Sequence, residues 1–129
     1  MGAAIEQLAH FIAGTPWDAV PAAVRQQAKL VFLDTVGAML AGSGQPEVAG
    51  TRARLIATGG HGATILARRA PTSDPRTAAF LNGLARRSIE LCEGHRYVSC
   101  QGAVPALPTA LASTGDGHAQ RRAADHTAA

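Results

Sequence analysis

The chain has 129 residues, which is enough for one domain with its own core and excludes two full domains. Its net charge of +3 is the difference between twelve basic residues, eleven Arg and Lys29, and nine acidic ones; the Arg pairs are scattered, which argues against nucleic-acid binding. We interpret pairs such as Arg86-Arg87 mainly as solvated surface residues, although Arg also suits an anionic small substrate. With 4% aromatic residues and abundant Ala, the composition favours packed helices over a sheet.

The sequence predicts neither a membrane span nor a signal peptide. No apolar run approaches the ~20 residues needed to cross a bilayer. Near the N-terminus, Glu6 precedes every basic residue, unlike in a signal peptide. We therefore expect a soluble, cytoplasmic protein in which Cys92 and Cys100 remain thiols.

The first two predicted helices are defined by apolar spacing and by breaker residues. A short amphipathic helix carries its apolar residues at three- and four-residue steps and ends at Gly14 and Thr15-Pro16; these apolar residues are Ile5, Leu8, Ala9 and Ile12. Pro21 suits the first position of a second helix that runs to about Leu40. Because this second helix is apolar almost all round after Lys29, we expect it to be buried and central.

A third helix is predicted from about Glu47 to Ala57, after the breaker loop Gly42 to Pro46. Its predicted inward residues are Val48, Leu55 and Ile56, and its outward residues are Arg52 and Arg54. The short β-branched segment Ala63 to Leu66 fits either a small strand or an extended connector.

Ser73-Asp74-Pro75 predicts a cap that opens a fourth helix, which ends at about Ser88. Pro105 and Pro108 start a fifth helical segment. The predicted fold class is therefore all-α, with about five helices and at most one short strand or hairpin. We expect residues 1–112 to form a partial helical domain and residues 113–129 to form a disordered tail.

The loop after the fourth helix concentrates ionisable groups. Glu90, Glu93 and His95 offer two carboxylates and an imidazole, which are the groups needed for general acid and base catalysis. The same residues also fit a solvated helix end with ordinary charges. Cys92, His95 and Cys100 match none of the paired zinc patterns, so no metal site is predicted.

Several segments, read in order, resemble the N-terminal half of the MmgE/PrpD family; they are Val20-Pro21-Ala22-Ala23-Val24, Leu33-Asp34-Thr35-Val36-Gly37, Leu40-Ala41-Gly42 and Ala78-Ala79-Phe80-Leu81-Asn82-Gly83. Glu90 through Tyr97 and Val104 through Ala112 fit the same family's loop and following helix. The resemblance covers about residues 4 to 112.

This family includes 2-methylcitrate dehydratase, cis-aconitate decarboxylase and iminodisuccinate epimerase. The resemblance implies cofactor-independent proton transfer on small di- and tricarboxylates, usually in homodimers. It also implies a large all-helical domain that is discontinuous in sequence, together with a smaller α+β lid. No cofactor, nucleic acid or membrane is expected as a partner.

By the same resemblance, Glu90 corresponds to an acidic residue at the active-site edge, and Glu93 lies in the acidic turn just after it. His95 and Arg96 match the Gly-His-Arg variant of the loop, with Arg96 expected to bind substrate. Cys92 stands where many relatives have Asp, which removes one carboxylate.

Gln101, before Gly102, corresponds to the site histidine of relatives. A Gln can hydrogen-bond a substrate carboxylate but cannot titrate, which places proton transfer at this position in doubt. Gly102 is expected to belong to the substrate-binding segment.

Three hypotheses follow. The first is an N-terminal fragment of an MmgE/PrpD enzyme that carries one wall of a carboxylate site and is inactive alone. The second is a non-catalytic helical interaction module, or a partner subunit of an intact paralogue, that covers exposed apolar surface. The third is a decayed gene in which the tail from Ser113 is read in the wrong frame.

Overall fold

The structure is a computed structural model and describes residues 2–56, 62–70, 72–91, 94, 97 and 101–114. These residues form five α-helices and one 3-10 turn, Trp17–Ala19; the helices are α1 (Gly2–Gly14), α2 (Ala22–Gly42), α3 (Pro46–Ile56), α4 (Pro75–Ser88) and α5 (Ala103–Ser113). Within the described ranges, β pairing is limited to one isolated antiparallel bridge between Ala63 and Ser73. The predicted all-α class is confirmed, and the segment from Ala63 is an extended connector.

The chain divides into two compact units, Met1–Leu30 and Val31–Ala129. In the first unit, α1 ends at Gly14 as predicted, but none of its residues is buried. Its apolar face is open to solvent; Ile12, for example, is 68% exposed. Arg25 closes the following turn by donating to the carbonyl oxygen of Trp17 at 3.4 Å and pairing with the Asp18 carboxylate at 3.6 Å.

The prediction that α2 is buried and central is wrong. Its buried residues all lie in its last two turns and are Thr35, Ala38, Met39 and Gly42. Leu30 and Leu33 are 51% and 67% exposed. An apolar helix is buried only where other elements pack on it, and across the described residues that occurs only near the C-terminal end of α2. None of the described helices is long and apolar enough to cross a membrane.

In the second unit, α4 packs against both α3 and α5. Its buried residues are Ala78, Leu81, Asn82, Ala85 and Arg86. The hydrophobic cluster joins the extended connector, α4 and α5, and consists of Ala63, Ile65, Ala78, Leu81 and Ala112. This cluster packs the first half of α4 against the last turn of α5.

Asn82 explains why the connector stays extended without a neighbouring strand. Its side chain is almost completely buried, and its Oδ1 accepts a hydrogen bond from the Leu66 amide at 2.8 Å. Its Nδ2 donates to the Thr64 carbonyl at 3.0 Å. One side-chain amide therefore satisfies both a donor and an acceptor of the connector backbone, as a paired strand would do.

The sequence predicts the inward and outward residues of α3 only partly correctly. Val48 is buried and Ile56 packs against the hydrophobic cluster, as predicted. Leu55, predicted to point inward, is 36% exposed. Arg52, predicted to point outward, is half-buried and donates to the Ser43 carbonyl at 3.1 Å, which ties α3 to the end of α2. The predicted end of α3 at Ala57 lies outside the described residues.

α5 begins two residues before the predicted start at Pro105, and Pro108 lies inside it. Pro105 falls in the first turn, where a missing N–H leaves no intrahelical bond unmade. Pro108 cannot donate to the turn before it, yet its ring is buried in the interface that α5 forms with α4. The tail predicted beyond residue 112 lies mostly outside the described residues and stays a prediction.

The N-terminus of α4 is capped as predicted. The Asp74 Oδ1 accepts hydrogen bonds from the backbone amides of Arg76 at 3.0 Å and Thr77 at 3.1 Å. Hydrogen bonds from Thr77, its side chain first, lower the pKa of the Asp74 carboxyl, and the Arg76 amide lowers it further. Because the charged carboxylate accepts these bonds, the cap works best when Asp74 is ionised.

Candidate functional site

Two consecutive arginines lie near the C-terminal end of α4, just before the loop in which the sequence predicts a site. Arg86 and Arg87 both lie in the last turn of the helix. Successive residues on a helix point about 100° apart, so neighbouring side chains serve different surfaces. One of this pair is buried, and the other is half-exposed beside the loop.

Arg86 contradicts the interpretation of this pair as solvated surface residues. Its side chain is completely buried, and its Nη2 lies 3.5 Å from the Oδ2 of Asp34 in α2. A buried guanidinium is strongly unfavourable unless it is compensated by an opposite charge. Asp34 belongs to one of the segments that carry the family resemblance, so this ion pair connects that segment to the last turn of α4.

Arg87 connects two of the residues that the sequence predicted as a site. Its Nη1 lies 3.3 Å from the Glu90 Oε2 and 3.2 Å from the Gln101 Oε1. Glu90 and Gln101 are eleven positions apart in the sequence, yet a single guanidinium nitrogen contacts both. The Arg87 and Glu90 side chains are 52% and 72% exposed, so this cluster is accessible from solvent.

Glu90 occupies a backbone conformation that favours glycine. Its φ is 55°, in the left-handed region, and its amide donates to the Arg87 carbonyl at 3.2 Å. Helices commonly end with such a residue, usually Gly, because other residues pay about 1–2 kcal/mol to adopt it. This turn directs the Glu90 carboxylate back towards Arg87.

Gln101 and Gly102 stand at the entrance of α5. Gln101 is half-buried, and its side chain is held by Arg87. Gly102 is the N-cap residue of α5, is exposed and makes no side-chain cap. Any contribution from Gly102 to substrate binding, as predicted, would have to come from its backbone.

The structure brings together only part of the predicted site. Glu90, Gln101 and Gly102 are described, and Arg87 joins the first two. The remaining predicted site residues lie outside the described residues, as do both cysteines; those site residues are Glu93, His95 and Arg96. Among the described residues, no three His, Cys, Asp or Glu side chains are grouped to hold a metal ion.

The sequence interpretation missed Arg87 as a site residue. One signal was present, since Arg87 and Glu90 are three positions apart at a helix end, where opposite charges attract. Nothing local indicated the contact with Gln101, because that contact depends on how the chain returns to start α5. For Arg86, no local signal indicated burial, since its partner Asp34 lies on α2, far away in the sequence.

A comparison with protein families matches residues 6–125 to the model described as the MmgE/PrpD N-terminal domain. The match contains every helix from α2 to α5 and the whole loop between α4 and α5. It also extends past residue 112, where the resemblance read from the sequence ended. No curated protein and no solved structure matches this chain.

Proposed function

This chain belongs to the MmgE/PrpD family, and we propose that its α4–α5 loop forms one side of a binding site for a small di- or tricarboxylic acid. The observation that supports this proposal is the pair of contacts from Arg87 to Glu90 and Gln101. A shared guanidinium keeps an acidic group and a neutral amide next to each other. That combination suits a ligand which carries carboxylates and exchanges a proton beside one of them.

The proposed roles differ between the two residues. Glu90 supplies the carboxylate that could accept a proton, and its turn conformation fixes where that carboxylate lies. Gln101 supplies a hydrogen-bond donor to a substrate carboxylate. The roles predicted for Glu93, His95 and Arg96 remain part of the proposal and rest on the family resemblance alone.

We further propose that the chain by itself binds such acids without converting them. Dehydration, decarboxylation and epimerisation in this family are expected to need a second titrating group. Gln101 cannot provide one, because an amide neither gains nor loses a proton near neutral pH. The chemistry, whether lyase or isomerase, would then require groups supplied by a different partner chain, such as an intact paralogue.

The experiment combines a binding assay and a turnover assay on the purified chain. Citrate, cis-aconitate and 2-methylcitrate are titrated while backbone amide signals are followed by NMR, with propionate as a monocarboxylate control. We expect saturable shifts at Arg87, Glu90 and Gln101 for the polycarboxylates and no product by chromatography. Absence of saturable binding would overturn the carboxylate site, and robust turnover would overturn the inactivity.

A matched pair of variants sharpens the assay. Arg87→Gln removes the shared guanidinium, whereas Arg76→Gln removes an exposed arginine from the first turn of the same helix. Both variants change the net charge equally. We expect binding to weaken about tenfold in Arg87→Gln, the loss typical of one hydrogen bond to a charged group. Equal weakening in both variants would indicate a general charge effect.

A second candidate function is a helical interaction module, which is favoured by the exposed apolar side chains of α1 and α2. Ten large apolar residues between positions 5 and 40 are more than two-fifths exposed; they are Ile5, Leu8, Phe11, Ile12, Trp17, Val24, Leu30, Phe32, Leu33 and Leu40. Large exposed apolar surfaces in soluble proteins usually mark interaction sites. Size-exclusion chromatography with light scattering should then show a dimer or larger species, and a compact monomer at all concentrations would contradict this function.

A further inference from the structure

We propose that Arg87 is a positioning residue that orients the Gln101 side chain, so that position 101 presents its NH2 group to a carboxylate ligand. This inference rests on the proposed function, and it adds a residue and an atomic orientation to it. The starting observation is the 3.2 Å contact between the Arg87 Nη1 and the Gln101 Oε1.

The orientation follows from the chemistry of the two side chains. A guanidinium has only donors, whereas a glutamine amide has an acceptor oxygen on one side and an NH2 group on the other. If the Gln101 amide were reversed, its NH2 would face the Arg87 Nη1, and two donors would oppose each other. Arg87 therefore selects one of the two amide orientations and turns the NH2 group away from itself.

Glu90 keeps Arg87 in the position that this selection requires. Its Oε2 lies 3.3 Å from the same Nη1 atom that contacts Gln101. The left-handed turn at Glu90, with φ at 55°, returns the carboxylate to the helix end. The Glu90 charge also balances that of Arg87, so the cluster is close to neutral and a carboxylate ligand meets little repulsion.

The consequence is selectivity for a particular functional group. An unrestrained glutamine can donate or accept a hydrogen bond, because its amide group can rotate by 180° to suit a carboxylate or a carboxamide. A glutamine whose oxygen accepts a hydrogen bond from Arg87 turns its NH2 group away from Arg87, towards the ligand. Position 101 thereby favours ligand groups that accept a hydrogen bond, such as a carboxylate, over groups that can only donate one, although it cannot titrate.

The first test follows the NH2 signals of Gln101 by ¹⁵N NMR without any ligand, with assignment by their loss in Gln101→Met. We expect the Gln101 amide to be more ordered than those of the exposed Gln7 and Gln26 in the same spectrum. Arg87→Met should make it as mobile as those references. Arg87→Lys, which keeps a donor and the charge, should restore part of the order, and Glu90→Gln should give an intermediate result.

Arg76→Met is the matched control, because it removes an exposed arginine from the opposite end of α4. It should leave the Gln101 signals unchanged. Arg87 is half-exposed, and circular dichroism of each variant verifies that the helices remain. If Gln101 is as mobile as Gln7 in the unmodified chain, or is unaffected by Arg87→Met, the positioning role is overturned.

The second test titrates citrate against the unmodified chain and Gln101→Met. Loss of the amide donor should weaken citrate binding about tenfold. Ordered Gln101 signals that depend on Arg87, combined with no citrate binding, would overturn the proposed function and the donor role while leaving the orienting contact established. Citrate binding with a mobile Gln101 would overturn the positioning inference alone, so the two failures are distinguishable.

Discussion

Helices α1 and α4 are nearly the same length, 13 and 14 residues, and both are predicted from local sequence signals, yet they differ completely in burial. α4 buries five residues, including a charged one, while α1 buries none. α4 packs against both α3 and α5 and accepts the connector on Asn82. The large apolar residues of α1 are more than half exposed; they are Ile5, Leu8, Phe11 and Ile12.

The difference in burial between α1 and α4 shows that helix formation and helix burial depend on different information. Apolar spacing and breaker residues define where a helix forms and which side is apolar. Burial depends on the complementary surface of another element, which local spacing cannot supply. α4 has that surface within the described residues, and the candidate site is located at its end. The candidate site therefore lies on a helix that packs against its neighbours.

The largest expected effect compares one leucine in each helix. Leu81 of α4 is 1% exposed, whereas Leu8 of α1 is 57% exposed. Leu81→Ala should destabilise the chain by about 2–5 kcal/mol, because it leaves a cavity in the hydrophobic cluster. Leu8→Ala should change the free energy of unfolding by no more than about 0.5 kcal/mol. Urea unfolding followed by far-UV circular dichroism measures both.

Complete unfolding of Leu81→Ala in the absence of urea would also agree with this prediction, since small domains are stable by only about 5–15 kcal/mol. Equal losses in the two variants would contradict it. They would show that the α1 surface is covered in solution, as expected if the chain associates through that surface.

A second comparison lies within α2, between Gly42 and Gly37. A Cβ atom on Gly42 would overlap the carbonyl oxygen of Ala85 in α4, because the two backbones approach closely there. A Cβ on Gly37 would meet nothing. Gly42→Ala should destabilise the chain by about 1–3 kcal/mol through this overlap. Gly37→Ala should stabilise it by about 0.5–1 kcal/mol, since alanine is the better helix former.

Thermal unfolding of both glycine variants gives the sign of each effect directly. A stabilising Gly42→Ala would mean that α2 and α4 are further apart in solution than here. A destabilising Gly37→Ala would mean that another surface rests against the exposed side of α2. Either result would change which parts of α2 are regarded as packed against another surface and which as exposed.

Much of the fold could be predicted from the sequence. The cap at Asp74, the proline after it and the breakers at Gly14 and Gly42 place the helix boundaries within a few residues, because these signals act locally. The burial of α2 could not be predicted in this way. Its composition indicates a core helix, but composition does not indicate which of its turns another helix will cover.

The candidate site could be predicted only for residues with a chemical signature. The sequence makes Glu90 and Gln101 candidates, because the family resemblance implies that both stand at site positions. Arg87 and Arg86 were interpreted as surface residues, since their roles depend on Gln101 and Asp34, which are distant in sequence. Long-range contacts of this kind are set by tertiary packing, which spacing does not encode.

The smallest expected effect concerns the opposite end of α4 and depends on pH. The Asp74 carboxyl has a pKa lowered by its hydrogen bonds, Thr77 first. Because the folded pKa lies below the unfolded one, the ionised cap stabilises fully above the unfolded pKa, and this stabilisation is lost as the pH falls through the lowered folded value. Asp74→Asn keeps the capping oxygen but has no charge to lose.

The stability advantage of the unmodified chain over Asp74→Asn should therefore shrink when unfolding is measured at about pH 3 instead of neutral pH, below the usual aspartate range. Asp74→Ala, which removes the capping oxygen itself, should be less stable than Asp74→Asn at both pH values. An advantage that stays constant between the two pH values would show that the cap acts through its hydrogen bonds alone, with no contribution from ionisation. Since α3 also carries an acidic residue in its first turn, Glu47, only the pH dependence that Asp74→Asn removes would be attributable to the start of α4.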